Sequence, residues 1–285
     1  MLLMPIVSLL LVSCSTNNSD SFSSPISSVV QSTSSSTRTV NSSNSSGQKS
    51  FSVDYAEWTN TITTETMRSL VTIDTTSYNG NYYAKQSWFE VTGSGIIYYE
   101  SNLGYLIVTN NHVSVKKNGY EKVTYDVYDY QGTKHAAILV DNDPTYDLGV
   151  LYISKQDTPQ QLNHLNTFRT KKLDVGEPIV SLGQPKGQSN SITFGKVIGY
   201  YNAPTLSNSE KYESDVSFEV LVHDAKIASG SSGGPVLTRD YVIAGINYAG
   251  HSSSSESTFS DYAYAIPGDK VLEYLNKVAD KISEG

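Results

Sequence analysis

From about residue 51 onward the chain is built of short apolar or alternating runs separated by Gly, Asn, Asp and Pro. They include GIIYY (95–99), YLIVT (105–109), KVTYDVYDY (122–130), AAILV (136–140), LGVLYI (148–153) and PIVSLG (178–183). Further along come ITFGKVIGYY (192–201), SFEVLVH (217–223), GPVLT (234–238), YVIAGINYA (241–249) and YAYAI (262–266). Many short runs at close spacing, with turn residues between them, predict strands of a sandwich or barrel. A folded part of roughly 230 residues suits two barrels. Two segments depart from the pattern. TTETMRSL (63–70) reads as a short helix leading into the domain. PGDKVLEYLNKVADKI (267–282) places Val271, Leu272, Leu275, Val278 and Ile282 on one helical stripe, after Pro267 and with Asp269 as cap.

The first 50 residues follow a different pattern. The opening MLLMPIVSLLLVSC is apolar up to Cys14, too short to span a bilayer, and reads as the apolar region of an export signal. Its Leu11-Val12-Ser13-Cys14 ending resembles a bacterial lipobox, which implies a signal peptide over 1–13 and a lipid on Cys14. No Lys or Arg precedes the apolar run, the first being Arg38. A cleaved signal with an incidental cysteine is the alternative. Sixteen of the residues from 15 to 50 are serine, with Thr and Asn among the rest. That composition cannot bury enough apolar surface to offset its ordering entropy, so 14–50 reads as a disordered tether. The folded part is then 51–285. The expected location is extracytoplasmic, lipid-anchored at a bacterial cell surface.

Composition narrows the function classes. The 285 residues carry a net charge of −8 with no basic run, which argues against nucleic-acid binding. A single cysteine excludes an intrachain disulfide. The 21 tyrosines indicate a globular domain. The Asp141-Asn142-Asp143 cluster lacks the spacing and distal Glu of a calcium loop, and its acids read as turn residues. No metal and no cofactor is expected.

The candidate chemistry lies in GSSGGPV (230–236). A serine hydroxyl becomes a useful nucleophile when a histidine takes its proton and a carboxylate holds that histidine's tautomer. Backbone N–H groups must also meet the oxyanion formed on attack. Glycines around Ser232 free the backbone to aim such donors, although a glycine-rich turn between strands has the same composition. The stretch also fits the Gly-X-Ser-X-Gly nucleophile elbow, but there a helix follows and the histidine comes later in the chain. Here a strand follows, and the best-placed histidine is upstream. His112 ends the strand pattern YLIVTNNHV, at a barrel rim. His135 and His164 lie in polar contexts where solvation is the default. His223 ends a strand nine residues before Ser232 and is positioned to line a site, and His251 opens the loop HSSSSES. Asp147, directly before the apolar run LGVLYI, is the best-placed orienting acid.

These pieces together resemble a trypsin-like (chymotrypsin-fold) serine protease, closest to the HtrA/Deg group. The resemblance covers most of residues 68–275, in family order: GSGIIYY (93–99), TNNHV (109–113), YDLGVLYI (146–153), LGQPKGQSNSITFGKVIGY (182–200), HDAKIASGSSGGPV (223–236), VIAGINYA (242–249) and YAIP (264–267). It implies an all-β fold of two six-stranded antiparallel barrels, about 68–155 and 170–267, with a C-terminal helix over about 268–282. It implies a triad of His112, Asp147 and Ser232, an oxyanion hole from the N–H groups of Gly230 and Ser232, and a substrate-pairing edge at Ile246, Asn247 and Tyr248. Lys226 and Ile227 fall where this fold forms its primary specificity pocket. A lysine at the pocket floor would favour an acidic residue before the scissile bond, with Asp224 as its candidate partner. The alternative, since an unpartnered buried charge is costly, is a lysine that is neutral or swung out to solvent, and the HtrA group accepts small aliphatic residues. Ser231 stands where the family often has Asn or Asp. The chain ends just after the closing helix, where many HtrA proteins continue into PDZ domains, so a protease module alone is expected, with the oligomeric state left open.

Two functions of different class follow. One is an active endopeptidase acting on proteins through an acyl-enzyme. The other is a catalytically silent protease fold used as a surface binding module or adhesin. The presence of all three triad residue types favours the enzyme. Activation by N-terminal cleavage finds no clear site near residue 68.

Overall fold

The computed structural model describes residues 51, 53–80, 87–158, 161–183, 191–204, 211–254 and 257–284. The expectations for the export signal, Cys14 and the Ser-rich tether lie outside the described residues.

Twelve strands form two closed antiparallel barrels. The first contains β1 (Leu70–Asn79), β2 (Ser87–Glu100), β3 (Gly104–Thr109), β4 (Lys122–Tyr128), β5 (Lys134–Asp143) and β6 (Leu148–Ser154), ordered β1-β2-β3-β6-β5-β4. The second contains β7 (Pro178–Gly183), β8 (Ser191–Asn202), β9 (Glu219–His223), β10 (Pro235–Thr238), β11 (Ile243–His251) and β12 (Tyr262–Pro267), ordered β10-β11-β12-β9-β8-β7. Closure gives every strand a neighbour on each side, and open edges remain only where a neighbour is shorter, as β10 is beside β11. The all-β, two-barrel architecture is therefore as the sequence implies.

Alternation decides which face of each strand is inside. Val71, Ile73, Ile107, Val127, Leu151 and Ile153 fill barrel 1, and Ile179, Val197, Leu221, Val236 and Ala244 fill barrel 2. A third apolar cluster occupies the seam, joining Leu70, Ile96 and Val108 of barrel 1 to Val180, Leu182 and Ile246 of barrel 2. Strands of this fold thus bury residues on both faces where the barrels meet.

Among the described residues, three α-helices accompany the barrels. α1 (Tyr55–Thr64) is capped by Asp54, whose carboxylate accepts from Ala56 N (3.0 Å) and Glu57 N (3.2 Å). It buries Trp58 and Ile62, with Trp58 5.3 Å from the Phe194 ring of β8. The expected helix over 63–70 is instead the end of α1, a 3-10 turn at Thr66–Ser69 and the start of β1. β1 itself shows no clear apolar run, because its second half buries hydroxyls (Thr75, Thr76, Ser77) rather than aliphatics. α2 (Asn111–Ser114) is a single turn after β3. α3 (Gly268–Glu284) packs Val271, Tyr274, Leu275 and Val278 into the seam cluster, while Ile282, expected on the same stripe, is exposed.

Candidate active site

His112 lies in α2, the turn that leaves the rim of barrel 1. Gly149 lets this turn sit close on β6: a Cβ there would come within 2.2 Å of Ser114 Oγ. Asp147 is presented by the tight connection between β5 and β6, where Asp147 N donates to Pro144 O (3.2 Å). Its φ of +48° is a conformation that few non-glycine residues adopt. The cost is held down by a set of bonds. Asn110 Nδ2 donates to Asp147 O (2.9 Å), and His112 N donates to Asp147 Oδ1 (3.0 Å). The Asp147 carboxylate in turn receives His112 Nδ1, at 2.9 Å from Oδ2 and 3.1 Å from Oδ1.

Asp147 is fully buried, and the His112 side chain is 14% exposed. Burial opposes a charge on His112, but the Asp147 carboxylate, by charge and by hydrogen bond, and the charge of Glu213 outweigh it. The imidazole is held above its ordinary value. With Nδ1 committed to Asp147, Nε2 is the nitrogen left for proton exchange.

Ser232 comes from the loop between β9 and β10, so the groups of the expected triad are split between the barrels. Ser232 and His112 line one cavity at the seam, though no hydrogen bond joins them in this arrangement. Such bonds often tighten only once substrate is bound. The loop is fixed from both sides. Ser94 of β2 donates through N to Ser232 O (2.7 Å) and through Oγ to Gly230 O (2.7 Å). Gly233 N donates to Asn247 O (2.8 Å), and Asn247 N donates to Gly234 O (2.9 Å). Gly230 and Gly233 both take positive φ, +93° and +86°. Among the described residues the N–H groups of Gly230 and Ser232 have no protein acceptor, the condition an anion-binding pair requires. Ser231, buried, accepts from Ala228 N through Oγ (3.3 Å).

Beneath the loop, Asn247 Nδ2 donates to Ser181 Oγ (2.8 Å) and Gly234 O (3.1 Å), so its Oδ1 is the acceptor for His223 Nε2 (2.9 Å). His223 is fully buried with Nδ1 unpartnered, and burial pushes its pKa down to about 4 against the opposing bond to Asn247. It supports the nucleophile loop from below and does not line the cavity.

The expected specificity residues divide. Ile227 and Tyr248 line the cavity, together with Ala249, Gly250 and His251. Ile246 instead points into the seam core, and Asn247 is spent on the network just described. The part of β11 that lines the cavity is therefore 248–251, where β10 no longer pairs with it. Lys226 is a correction. It is exposed, donates to Asp261 O (3.3 Å) and does not line the cavity, while Asp224 Oδ1 accepts from Lys196 N (2.7 Å). A residue count from Ser232 places Lys226 near the pocket but not the direction of its side chain. His251, expected in a loose loop, is held at the end of β11 by stacking on Tyr262, with centroids 4.6 Å apart. His135, expected to be solvated, is buried and bonded to Asp129 Oδ2 (2.9 Å).

A two-barrel frame with a Ser, a His and an Asp gathered at its seam defines a class, and comparison with known proteins gives the same one. Residues 93–246 match the family described as the trypsin-like peptidase domain, and the chain belongs to that family. It is similar to the serine protease Do-like HtrA of Bacillus subtilis, 33% identical over 192 residues, covering 67% of this chain and 40% of that protein. It is also similar to the chloroplastic Protease Do-like 5 of Arabidopsis thaliana, 32% identical over 189 residues, covering 64% of this chain and 55% of that protein. The matched region thus spans about half or less of these relatives. Among solved structures, the Rv3671c protease from M. tuberculosis in its active form superposes with a TM-score of 0.59 at 20% identity, over 82% of this chain and 94% of that one. An HtrA-type protease solved with a tripeptide gives 0.59 at 23% identity, over 78% and 63% of the two chains. These last two likenesses speak for the fold.

Proposed function

We propose that this chain is a serine endopeptidase that hydrolyses peptide bonds of proteins through an acyl-enzyme. The observation that carries the reading is the buried Asp147 carboxylate holding His112 Nδ1 at 2.9 Å, beside a cavity that Ser232 also lines. Ser232 attacks the scissile carbonyl as His112 Nε2 takes its proton. His112 then protonates the leaving amine as the C–N bond breaks, and later takes a proton from the water that cleaves the Ser232 ester and returns it to Ser232 Oγ. Asp147 keeps the imidazole oriented and stabilises its charge. The N–H groups of Gly230 and Ser232 receive the oxyanion. The substrate backbone lies along 248–250, and a small to medium aliphatic side chain fits beside Ile227, Ala249 and Gly250.

A fluorophosphonate probe tests the reading. Wild-type protein is expected to label and Ser232→Ala not to, and kcat for a cleaved peptide is expected to fall on the order of 10⁶-fold in that variant. An unlabelled wild type, or equal labelling of both, refutes it. The proposal extends to location: an export signal ending at Ser13, a lipid on Cys14 and a Ser-rich tether place the domain outside the membrane. Mass spectrometry of the mature N-terminus, beside Cys14→Ala, tests that part separately.

A further inference from the structure

The connection between β8 and β9 belongs to barrel 2, yet its residues 212–215 are fastened to barrel 1. Asn111, the residue before His112, donates through Nδ2 to Tyr212 O (3.0 Å) and Glu213 O (2.7 Å). Its amide is oriented by Asn142 Nδ2, which donates to Asn111 Oδ1 (2.7 Å). Two residues further on, Asp215 N donates to Pro144 O (2.7 Å), in the turn that presents Asp147. One strap from barrel 2 is thus bonded both to the turn carrying His112 and to the turn carrying Asp147.

The side chain at the centre of this strap is a carboxylate. Glu213 lines the cavity that His112 and Ser232 share, with its side chain 14% exposed. Lys117 Nζ and Tyr212 OH (2.6 Å) both donate to Glu213 Oε1. Lys117 is itself placed by aromatic faces, 5.2 Å from the Phe89 centroid and 5.8 Å from that of Tyr212. A fixed charge in so poorly hydrated a place acts on its neighbours more strongly than it would in water.

We propose that Glu213 is a positioning residue for the hydrolytic reaction, presenting to the His112 imidazole a second negative charge besides Asp147, with Lys117 setting how much of that charge is felt. This rests on the serine protease reading above. Above the His112 midpoint the ring becomes charged only when Ser232 gives up its proton, so there a carboxylate held nearby favours the transition state over the resting site. The charged and titratable groups around the imidazole and its cavity are Asp147 from the turn before β6, Glu213 from the strap with Tyr212 bonded to it, Lys117 beyond α2, and Tyr248 and His251 on β11. Burial resists the imidazolium, and the two carboxylates overcome that resistance.

The experiment has two arms. In Ser232→Ala protein, which is inactive under the proposed function, the titration of the His112 ring is followed by NMR. Glu213→Gln, which keeps the shape, is expected to move the midpoint down. Lys117→Met is expected to move it up, and Glu213→Asp to restore part of the loss. In protein with Ser232 intact, Glu213→Gln is expected to shift the acid limb of kcat/KM downward and to lower its plateau about three- to tenfold, with KM changed less than about twofold. A His112 midpoint that stays fixed in both variants, or moves the same way in both, overturns the inference, because a merely structural wall has no sign. Opposite shifts in a protein whose wild type fails to take the fluorophosphonate support the electrostatic inference and refute the protease reading.

Discussion

Gly233 and His223 show how much of the nucleophile loop is decided one residue at a time. A Cβ on Gly233 would lie 1.9 Å from Ser94 O, and its φ of +86° disfavours any side chain, so glycine at 233 is required by both space and dihedral angle. That demand is visible in the sequence because glycine is the only residue that meets it. The residues of the site were legible for the same reason: a hydroxyl, an imidazole and a carboxylate in family order carry their chemistry in their names. Lys226 and His135 were not, because exposure depends on which way a strand or loop turns. His223 makes a prediction with a definite sign. Unfolded, its imidazole titrates near 6.5, and folded, near 4, so between those values the unfolded chain holds the extra proton. Folding stability from this residue is therefore full above about pH 6.5 and falls by roughly 3 kcal/mol as pH drops towards 4. His112 acts oppositely, since folding raises its value, but its contribution is complete once pH is below the unfolded value. Denaturant midpoints of wild type and His223→Leu, measured between pH 7 and 4, are expected to converge as pH falls. Parallel curves would show that His223 is not buried neutral.

At the scale of elements, apolar alternation found most strands, and failed where a strand used other chemistry. β1 pairs with β2 over its whole length, Leu70↔Ile96 to Asn79↔Ser87, and closes the barrel against β4, yet half of its buried side chains are hydroxyls. Pairing, not hydrophobicity, makes it a strand. α3 illustrates the converse, a pattern read correctly except at its end. Its stripe packs as far as Val278, and by Ile282 the helix has run past the barrel surface. Leu275→Ala is expected to cost about 2–4 kcal/mol and Ile282→Ala within about 0.5 kcal/mol, read from urea denaturation of the two variants. α3 also reaches the site indirectly, because Tyr146, the neighbour of Asp147, donates to Glu273 Oε1 (2.6 Å) and its ring packs tilted against Tyr274, with centroids 5.7 Å apart.

For the whole molecule the decisive feature is that the site belongs to neither barrel. Barrel 1 supplies His112 and Asp147, barrel 2 supplies Ser232, and Ser94 ties the two together through Ser232 O and Gly230 O. Nothing local in GSG (93–95) marks Ser94, since its role exists only once the barrels dock. The Ser94 backbone carbonyl is tied as well: Thr109 Oγ1 donates to Ser94 O (2.7 Å), so the end of β3, just before His112, is linked through Ser94 to the loop bearing the nucleophile. Removing one hydroxyl should then disturb the alignment of the site more than the fold. Ser94→Ala leaves the backbone bond from Ser94 N intact but strips the buried Gly230 carbonyl of its side-chain donor. The expected loss of stability is about 1–3 kcal/mol, that of one unsatisfied buried acceptor. The rate of fluorophosphonate labelling is expected to fall by about tenfold or more, because Gly230 carries one of the two proposed oxyanion donors and is no longer pinned. Labelling rate and denaturation midpoint measured on the same Ser94→Ala sample separate the two effects. A labelling rate unchanged despite the lost stability would mean that the Ser94 hydroxyl does not align the loop, and that the bond from Ser94 N, the glycines and Asn247 suffice to hold it.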